Sequence, residues 1–312
     1  MDAILNVALP MFALMACGFF AGKIGVMGEE STAALNTFVW WFALPALFVL
    51  SLSRVPIQQF INVPFLIVFG GAAMGTFLIS MVLARLATGA RLAELSVHGI
   101  FAAFGNLGYM GIPLCISAFG PEGALPATLA SVFGATIMLG LSVVLIETDL
   151  HSGSGVLASF GKVLRAIIRN PLLISSALGI FVSLMQWQLP APLVGFLELL
   201  SKAAVPCALF AIGLFLVGKS LSSGAGEVGL AVIVKMALQP ALAWALALIF
   251  LDMNSMWAKA AIILAALPTA TNVFILARNY NLFMNRASGT ILVSTLLSVP
   301  ILSALLVVLK IG

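Results

Sequence analysis

Two short polar stretches interrupt long apolar runs, and their residue types suit the binding of an ion by helix ends. The first is Gly105 to Pro113, within a run from about Leu95 to Phe119, and the second is Leu267 to Asn272, within Met256 to Arg278. The N-terminus of a helix presents free amides and a partial positive charge of about half a unit, which favour an anion. The C-terminus presents free carbonyls, which favour a cation. The candidate binding residues are neutral polar groups and backbone breakers: Asn106, Gly108, Tyr109, Gly111, Pro113, Pro268, Thr269, Thr271 and Asn272.

Each candidate also has a purely structural interpretation. Asn106 and Asn272 could satisfy backbone groups that glycine and proline leave unpaired, and a threonine could bond back within its own helix. An asparagine in both breaks favours binding. Pro113 and Pro268 suit the first turns of the half-helices that follow, where a missing N–H does no harm.

The composition identifies the molecular class. Hydrophobic residues make up 62% of the 312 residues, charged residues 8%, and the mean hydropathy is +1.22. These values predict an integral, all-α membrane protein. Ten apolar runs predict ten spans: Ala3 to Ala21, Thr32 to Leu52, Val63 to Ala87, Leu95 to Phe119, Gly123 to Ile146, Pro171 to Met185, Val194 to Val217, Val228 to Leu251, Met256 to Ala277 and Ala287 to Leu309.

The basic residues predict the orientation. Nine lie in the loops that follow the odd-numbered spans: Lys23, Arg85, Arg91, Lys162, Arg165, Arg169, Lys219, Arg278 and Arg286. Three lie on the other side: Arg54, Lys259 and Lys310. Because basic loops stay in the cytoplasm, we expect a cell-membrane protein with both termini outside.

An internal repeat organises the chain. Gly18 and Gly179 are 161 residues apart, and so are Pro45 and Pro206. Five spans per repeat make the second repeat inverted relative to the first, as in secondary transporters, so the broken fourth and ninth spans should cross. The predicted divisions are repeat 1 at 1–147, a cytoplasmic linker with an interfacial helix at 148–170, and repeat 2 at 171–312.

Ionisable residues inside the spans are few. Lys235 lies about two turns into the eighth span and either contributes to gating or to the substrate's charge, or snorkels to the interface. His98 is expected to be a packed core histidine. No Asp or Glu falls in the middle of a span, which argues against a proton-exchanging carboxylate pair.

Several function classes find no support in the sequence. Phosphate-loop, zinc-binding and nucleophile-elbow motifs are absent, and Cys17, Cys115 and Cys207 have no metal or disulfide spacing. We therefore expect neither an enzyme nor a nucleic-acid partner, and no cofactor or metal. Coupling to Na⁺ or H⁺ stays open.

Three stretches resemble the auxin efflux carrier family, which contains plant auxin exporters and bacterial malonate and malate permeases. They are Asn36 to Phe48, Gly105 to Leu114 and Leu267 to Arg278. The short central linker is more similar to the bacterial branch.

The resemblance implies a crossover fold similar to that of bile-acid sodium symporters, with a scaffold of spans 1, 2, 6 and 7 and a mobile transport domain of spans 3–5 and 8–10. It also implies a homodimer and an organic-anion substrate. By position, Asn106 and the backbone after Gly111 would hold a carboxylate, and Pro113 and Pro268 would fix the breaks. The role of Asn272 in selecting the substrate is open, because the plant members differ there.

Three functions remain as hypotheses. The leading one is a secondary carrier of a small mono- or dicarboxylate, or of an auxin-like acid, that works by alternating access of the elevator type. The second is sodium-coupled symport of a larger amphipathic anion, and the third is a membrane sensor that does not transport.

Overall fold

The computed structural model describes residues 9–55, 62–150, 169–218 and 224–311. The described residues form helices joined by short connecting segments, and they contain no β-strand. One isolated β-bridge pairs Gly105 with Thr269, in the segments that interrupt the fourth and ninth apolar runs. The interfacial helix that we predict at 148–170 lies outside the described residues except at its two ends.

The helices coincide with the ten apolar runs, and the fourth and ninth runs are each split in two. They are α1 (Leu9–Lys23), α2 (Glu29–Ser53), α3 (Val63–Thr88), α4 (Leu92–Ala103), α5 (Leu107–Phe119), α6 (Pro121–Leu150), α7 (Pro171–Leu184), α8 (Ala191–Leu216), α9 (Ala225–Phe250), α10 (Met256–Ala265), α11 (Asn272–Asn279) and α12 (Met284–Val308). Six of these, α2, α3, α6, α8, α9 and α12, are long and apolar enough to cross a membrane. The chain is therefore an all-helical, multi-pass membrane protein.

Local sequence explains where several helices begin and end. The Asn62 side chain accepts a hydrogen bond from the Phe65 amide (2.9 Å) at the start of α3, and Ser255 accepts one from the Ala258 amide (3.2 Å) at the start of α10. Gly89 ends α3 with a left-handed backbone, at φ +66°. Each cap satisfies a backbone group that the helix itself leaves unpaired.

Helices α1, α2, α7 and α8 form one packed group, which we call the four-helix group. A Cβ added to Gly18 of α1 would lie 2.1 Å from the Phe210 carbonyl oxygen of α8, and one added to Gly179 of α7 would lie 3.1 Å from the Val49 carbonyl oxygen of α2. Val49 and Phe210 are again 161 residues apart. The Phe48 carbonyl oxygen lies at the same distance of 3.1 Å from the Cβ added to Gly179, so only one of the two nearby oxygens follows the offset.

The remaining helices, α3 to α6 and α9 to α12, form a second packed group that contains both broken spans, and we call it the crossing group. Helix α3 packs against α4 and α9, α4 against α6, and α9 against α10 and α12. The two groups touch where α5 meets α8 and where α6 meets α2. Both breaks therefore lie in one group and face the other across a boundary.

Candidate functional site

The two breaks meet through backbone hydrogen bonds. The Asn106 amide donates to the Pro268 carbonyl (2.8 Å), and the Ala270 amide donates to the Phe104 carbonyl (3.0 Å). Between these bonds lies an antiparallel bridge of Gly105 and Thr269. The bridge pairs backbone groups that the interrupted helices no longer satisfy, which is required for non-helical backbone at membrane depth.

Two side chains of α9 contact the carboxyl ends of the half-helices that enter the bridge. Gln239 Nε2 donates to the carbonyl of Ala103, the last residue of α4 (3.0 Å), and Lys235 Nζ donates to the carbonyl of Ala265, the last residue of α10 (2.9 Å). Lys235 also donates to Gln239 Oε1. Both side chains are fully buried.

The two prolines take different places. Pro113 is the second residue of the α-helical part of α5, but α5 begins with a wide π turn at Leu107–Gly111, so the proline lies in the second turn of the half-helix and not in the first, where we predicted it. The prediction that Pro268 lies in a first helical turn is wrong, because α11 begins only at Asn272. Pro268 stays in the link since its carbonyl is used by Asn106 in the bridge.

Thr269 is completely buried and its polar atoms are already paired. Its Oγ1 donates to the Phe101 carbonyl (2.8 Å), and its amide donates to Ser294 Oγ (3.1 Å). These bonds connect the segment between α10 and α11 to α4 and α12. Thr269 therefore has a structural role, but through a hydrogen bond to another helix and not through the bond within its own helix that the sequence suggested.

A cavity of about 1280 Å³ lies between the two helix groups, with walls from α2 and α8 on one side and α5, α6 and α11 on the other. Three of the predicted site residues line it: Tyr109, Thr271 and Asn272. Its aromatic lining comes from Trp40, Trp41, Phe215 and Phe274, in addition to Tyr109. The lining also includes the exposed residues Glu29 and Arg278, at the helix ends that adjoin the predicted cytoplasmic loops.

Tyr109 connects the crossing group to the four-helix group. Its hydroxyl donates to the main-chain carbonyl of Asn36 in α2 (3.3 Å), and its ring stacks on Trp40 with centroids 6.4 Å apart and planes 13° apart. The Tyr109 hydroxyl, which we predicted to bind the substrate, is thus hydrogen-bonded to α2 on the opposite wall of the cavity in this conformation.

The other predicted residues surround the bridge rather than the cavity. Asn106, Gly111, Pro113, Pro268 and Thr269 are buried, and Gly108 is half-buried. Asn106 is 4% exposed. Lys235 does not line the cavity either.

Sequence reasoning missed several residues at this site. Gln239 was detectable as a polar residue one turn after Lys235 in an apolar helix, but Trp40 and Ser294 carried no local signal. Wide π turns also escaped notice, at Val39–Ala43, Leu107–Gly111, Gly134–Met138 and Val234–Leu238. Such turns often mark functional positions, and these four contain Trp40, Tyr109, Ala135 and Lys235.

A charged cluster ties α4, α9 and α12 together away from the cavity. Glu227 Oε2 lies 2.6 Å from Arg286 Nη1 and 3.1 Å from His98 Nε2. The Arg286 guanidinium lies over the Phe283 ring at 4.0 Å, a favourable cation–π contact. His98 is buried in the core, as expected.

A second polar contact closes the link between α11 and α12 onto α6. The Tyr280 hydroxyl donates to Glu147 Oε1 (2.8 Å). Burial raises the pKa of Tyr280, and the hydrogen bond to the Glu147 carboxylate and its charge raise it further. The phenol therefore stays a neutral donor in this contact.

Comparison with known proteins gives matches over nearly the whole chain. The family model described as "Membrane transport protein" matches residues 3–306. A Rhizobium meliloti protein named "Putative malonate transporter" is 31% identical over 312 residues, covering 100% of this chain and 98% of the relative. A transporter of Methanothermobacter thermautotrophicus is 27% identical, covering 93% of each chain. The rice protein "Probable auxin efflux carrier component 1b" is 31% identical over 143 residues, which are 44% of this chain and 26% of the relative.

Proposed function

We propose that this chain, which belongs to the family of membrane transport proteins that includes auxin efflux carriers, is a secondary carrier of small organic anions, such as mono- or dicarboxylates. The observation that supports this most strongly is the bridged pair of broken helices beside a cavity of about 1280 Å³ between two helix groups. The name of the Rhizobium relative, 31% identical over its length, favours a carboxylate substrate.

The residues of the cavity suit an anion that must be released as well as bound. Asn272 and Thr271 offer neutral hydrogen-bonding groups at the start of α11, where the helix dipole adds about half a positive unit. Arg278, on the same helix, adds a full positive charge at the end of the cavity that adjoins the loop. An anion would thus be attracted by Arg278 and held by groups without fixed charge.

Alternating access would proceed by movement of the crossing group against the four-helix group, as in an elevator. In support, the cavity lies at the boundary of the groups, and both broken helices belong to one of them. The cavity adjoins the loops rich in Lys and Arg, so we interpret this conformation as open to the cytoplasm. A cell-membrane location with both termini outside, and assembly as a homodimer, complete the proposal.

The experiment combines binding with uptake. Protein purified in detergent is heated with malonate, malate, pyruvate or indole-3-acetate, each with and without sodium, and acids that raise the midpoint are then tested for uptake into protein-only liposomes. A ligand at a hundredfold excess over its Kd adds about 2.7 kcal/mol of stability to the native state.

Matched variants locate the site. Asn272→Ala removes a cavity amide and Asn106→Ala removes the amide beside the bridge, whereas Asn254→Ala removes an exposed amide in the α9–α10 link. We expect the first two to weaken the carboxylate shift and the third to leave it unchanged. No shift with any of the acids, or an equal shift in all variants, would contradict the proposed substrate or site.

Uptake separates the remaining hypotheses. Accumulation in protein-only liposomes excludes a sensor that only reports its ligand. Uptake that requires sodium favours the symporter hypothesis, and uptake of indole-3-acetate without malonate would shift the substrate class to larger amphipathic acids.

A further inference from the structure

Lys235 is a fully buried amine in the middle of an apolar helix. It lies in the π turn Val234–Leu238 of α9 and has no solvent exposure. The ion pairs among the described residues do not include it, so no carboxylate there neutralises its ammonium group. A charge buried without an acidic partner is costly and needs another source of compensation.

The carboxyl ends of two half-helices provide that compensation. Lys235 Nζ donates to the terminal carbonyl of α10 at Ala265 (2.9 Å), and through Gln239 it is linked to the terminal carbonyl of α4 at Ala103. Each helix end is equivalent to about half a negative unit, so the two ends together offer about one negative unit. A single monovalent cation matches this sum.

Such carbonyl ends in broken transporter helices are the groups that coordinate a coupling Na⁺ or H⁺. Here their acceptors are already occupied by side-chain donors. The ammonium also lies against the bridge, since a Cβ added to Gly105 would be 3.4 Å from Lys235 Nζ. Within the described parts of the chain, no group of His, Cys, Asp and Glu side chains offers an alternative metal site.

We propose that the Lys235 ammonium is a built-in cation of the helix crossing, which occupies the place of a coupling cation and makes carriage independent of sodium. The sodium-independence rests on the proposed transport function. Because Lys235 does not line the cavity, it is a positioning residue: it holds the ends of α4 and α10 together and stabilises the bridge between them.

The test is rescue by small cations of a variant that lacks the ammonium. Thermal midpoints of the detergent-purified protein are measured in the chlorides of sodium, methylammonium and choline. The wild type should have the same midpoint in all three salts. Lys235→Ala should lose about 5 °C or more, because two helix ends become uncompensated, and sodium or methylammonium should restore part of that loss, whereas choline is too large to enter.

A matched variant separates charge from packing. Lys235→Met keeps an unbranched side chain in the site but removes the charge, so we expect a lower midpoint that no salt restores. A Lys235→Ala midpoint that is equal in all three salts would overturn the proposal, as would equal rescue of Lys235→Met.

Two measurements keep the proposal testable if Lys235→Ala does not fold. The wild-type midpoint and the wild-type uptake rate should each be the same in sodium and in choline, and Lys235→Arg, which keeps the charge, should retain this indifference. A wild-type midpoint or uptake rate raised by sodium would overturn it. Absence of uptake with every acid would count against the transport function, while the midpoints of the wild type and Lys235→Arg in sodium and choline would still test the role of Lys235.

Discussion

The hydroxyl of Tyr109 bridges the two helix groups, so in the proposed alternating-access cycle it would favour the conformation described here. It donates across the boundary to the Asn36 carbonyl at 3.3 Å, while the ring stacks on Trp40. Tyr109→Phe removes the hydrogen bond and keeps the stacked ring. We expect this change to lower the population of the conformation described here relative to conformations in which the groups have moved apart.

The magnitude follows from the length of the bond. A hydrogen bond contributes about 0.5 to 1.5 kcal/mol net, and one at 3.3 Å belongs in the lower part of that range, at about 0.5 to 1 kcal/mol. Since 1.4 kcal/mol is a tenfold change in an equilibrium constant, the population ratio should fall by a factor of about 2 to 5.

Cysteine labelling measures this ratio. Val143 of α6 lines the cavity. In a background without the three native cysteines, Val143→Cys reports access to the cavity, from the side that we propose is cytoplasmic, through its reaction with a membrane-impermeant maleimide. The labelling rate should fall in Tyr109→Phe, by at most the same factor of about 2 to 5, because the rate follows the fraction of molecules in the accessible conformation. The chain's other tyrosine provides the control, because the Tyr280 hydroxyl bonds to Glu147 within the crossing group. Equal labelling in Tyr109→Phe and its parent, or an equal fall in Tyr280→Phe, would refute a bridging role.

Two further changes test the packing. Gly213→Ala should destabilise the protein by about 1 to 3 kcal/mol, because the new Cβ would lie 2.0 Å from a main-chain oxygen of α1. Gly195→Ala, in the same helix, is the control. Its new Cβ meets nothing within 4 Å, so the thermal midpoint should stay unchanged or rise slightly. A comparable loss in both variants would contradict the described α1–α8 contact. Glu227→Gln should lower the free energy of unfolding by about 1 to 3 kcal/mol, because it weakens the contact of 2.6 Å to Arg286. The control, Glu122→Gln at an exposed position, should change this free energy little. Equal thermal midpoints of the two variants would show that the cluster around Glu227 does not stabilise the protein.

The sequence predicts the spans and their breaks because these depend on local properties. Clusters of glycine, proline and polar residues disfavour a continuous helix, although the single prolines Pro206 and Pro300 stay inside α8 and α12. The length of an apolar run decides whether it can cross the membrane. Pro268 shows what local sequence cannot predict. Proline is compatible with both a first helical turn and an extended segment, and only the contact with the distant segment around Asn106 decides between the two. The direction of the Lys235 side chain cannot be predicted from local sequence either, because its long aliphatic stem can reach the membrane interface or an internal acceptor. The acceptor that it contacts, the Ala265 carbonyl, belongs to another helix and lies 30 residues away in the sequence.

The location of the charges suggests how the part of the cavity that we propose holds the anion could stay neutral, because the charged lining residues Glu29 and Arg278 lie at the end beside the loops. A fixed cation beside Thr271 and Asn272 would bind an anion in every conformation and slow its release. In this chain the buried ammonium of Lys235 is directed at helix ends behind the bridge, while the cavity wall at Thr271 and Asn272 presents neutral groups and a helix start. In the proposed site, the dipole of α11 would supply a partial charge to the substrate, and the Lys235 ammonium would stabilise the break that creates this helix start. Moving the full charge into the cavity, for example with Thr271→Lys, should tighten carboxylate binding in the thermal-shift assay and reduce the rate of uptake in liposomes. Tighter binding with uptake at the wild-type rate would mean that release of the anion does not depend on a neutral cavity.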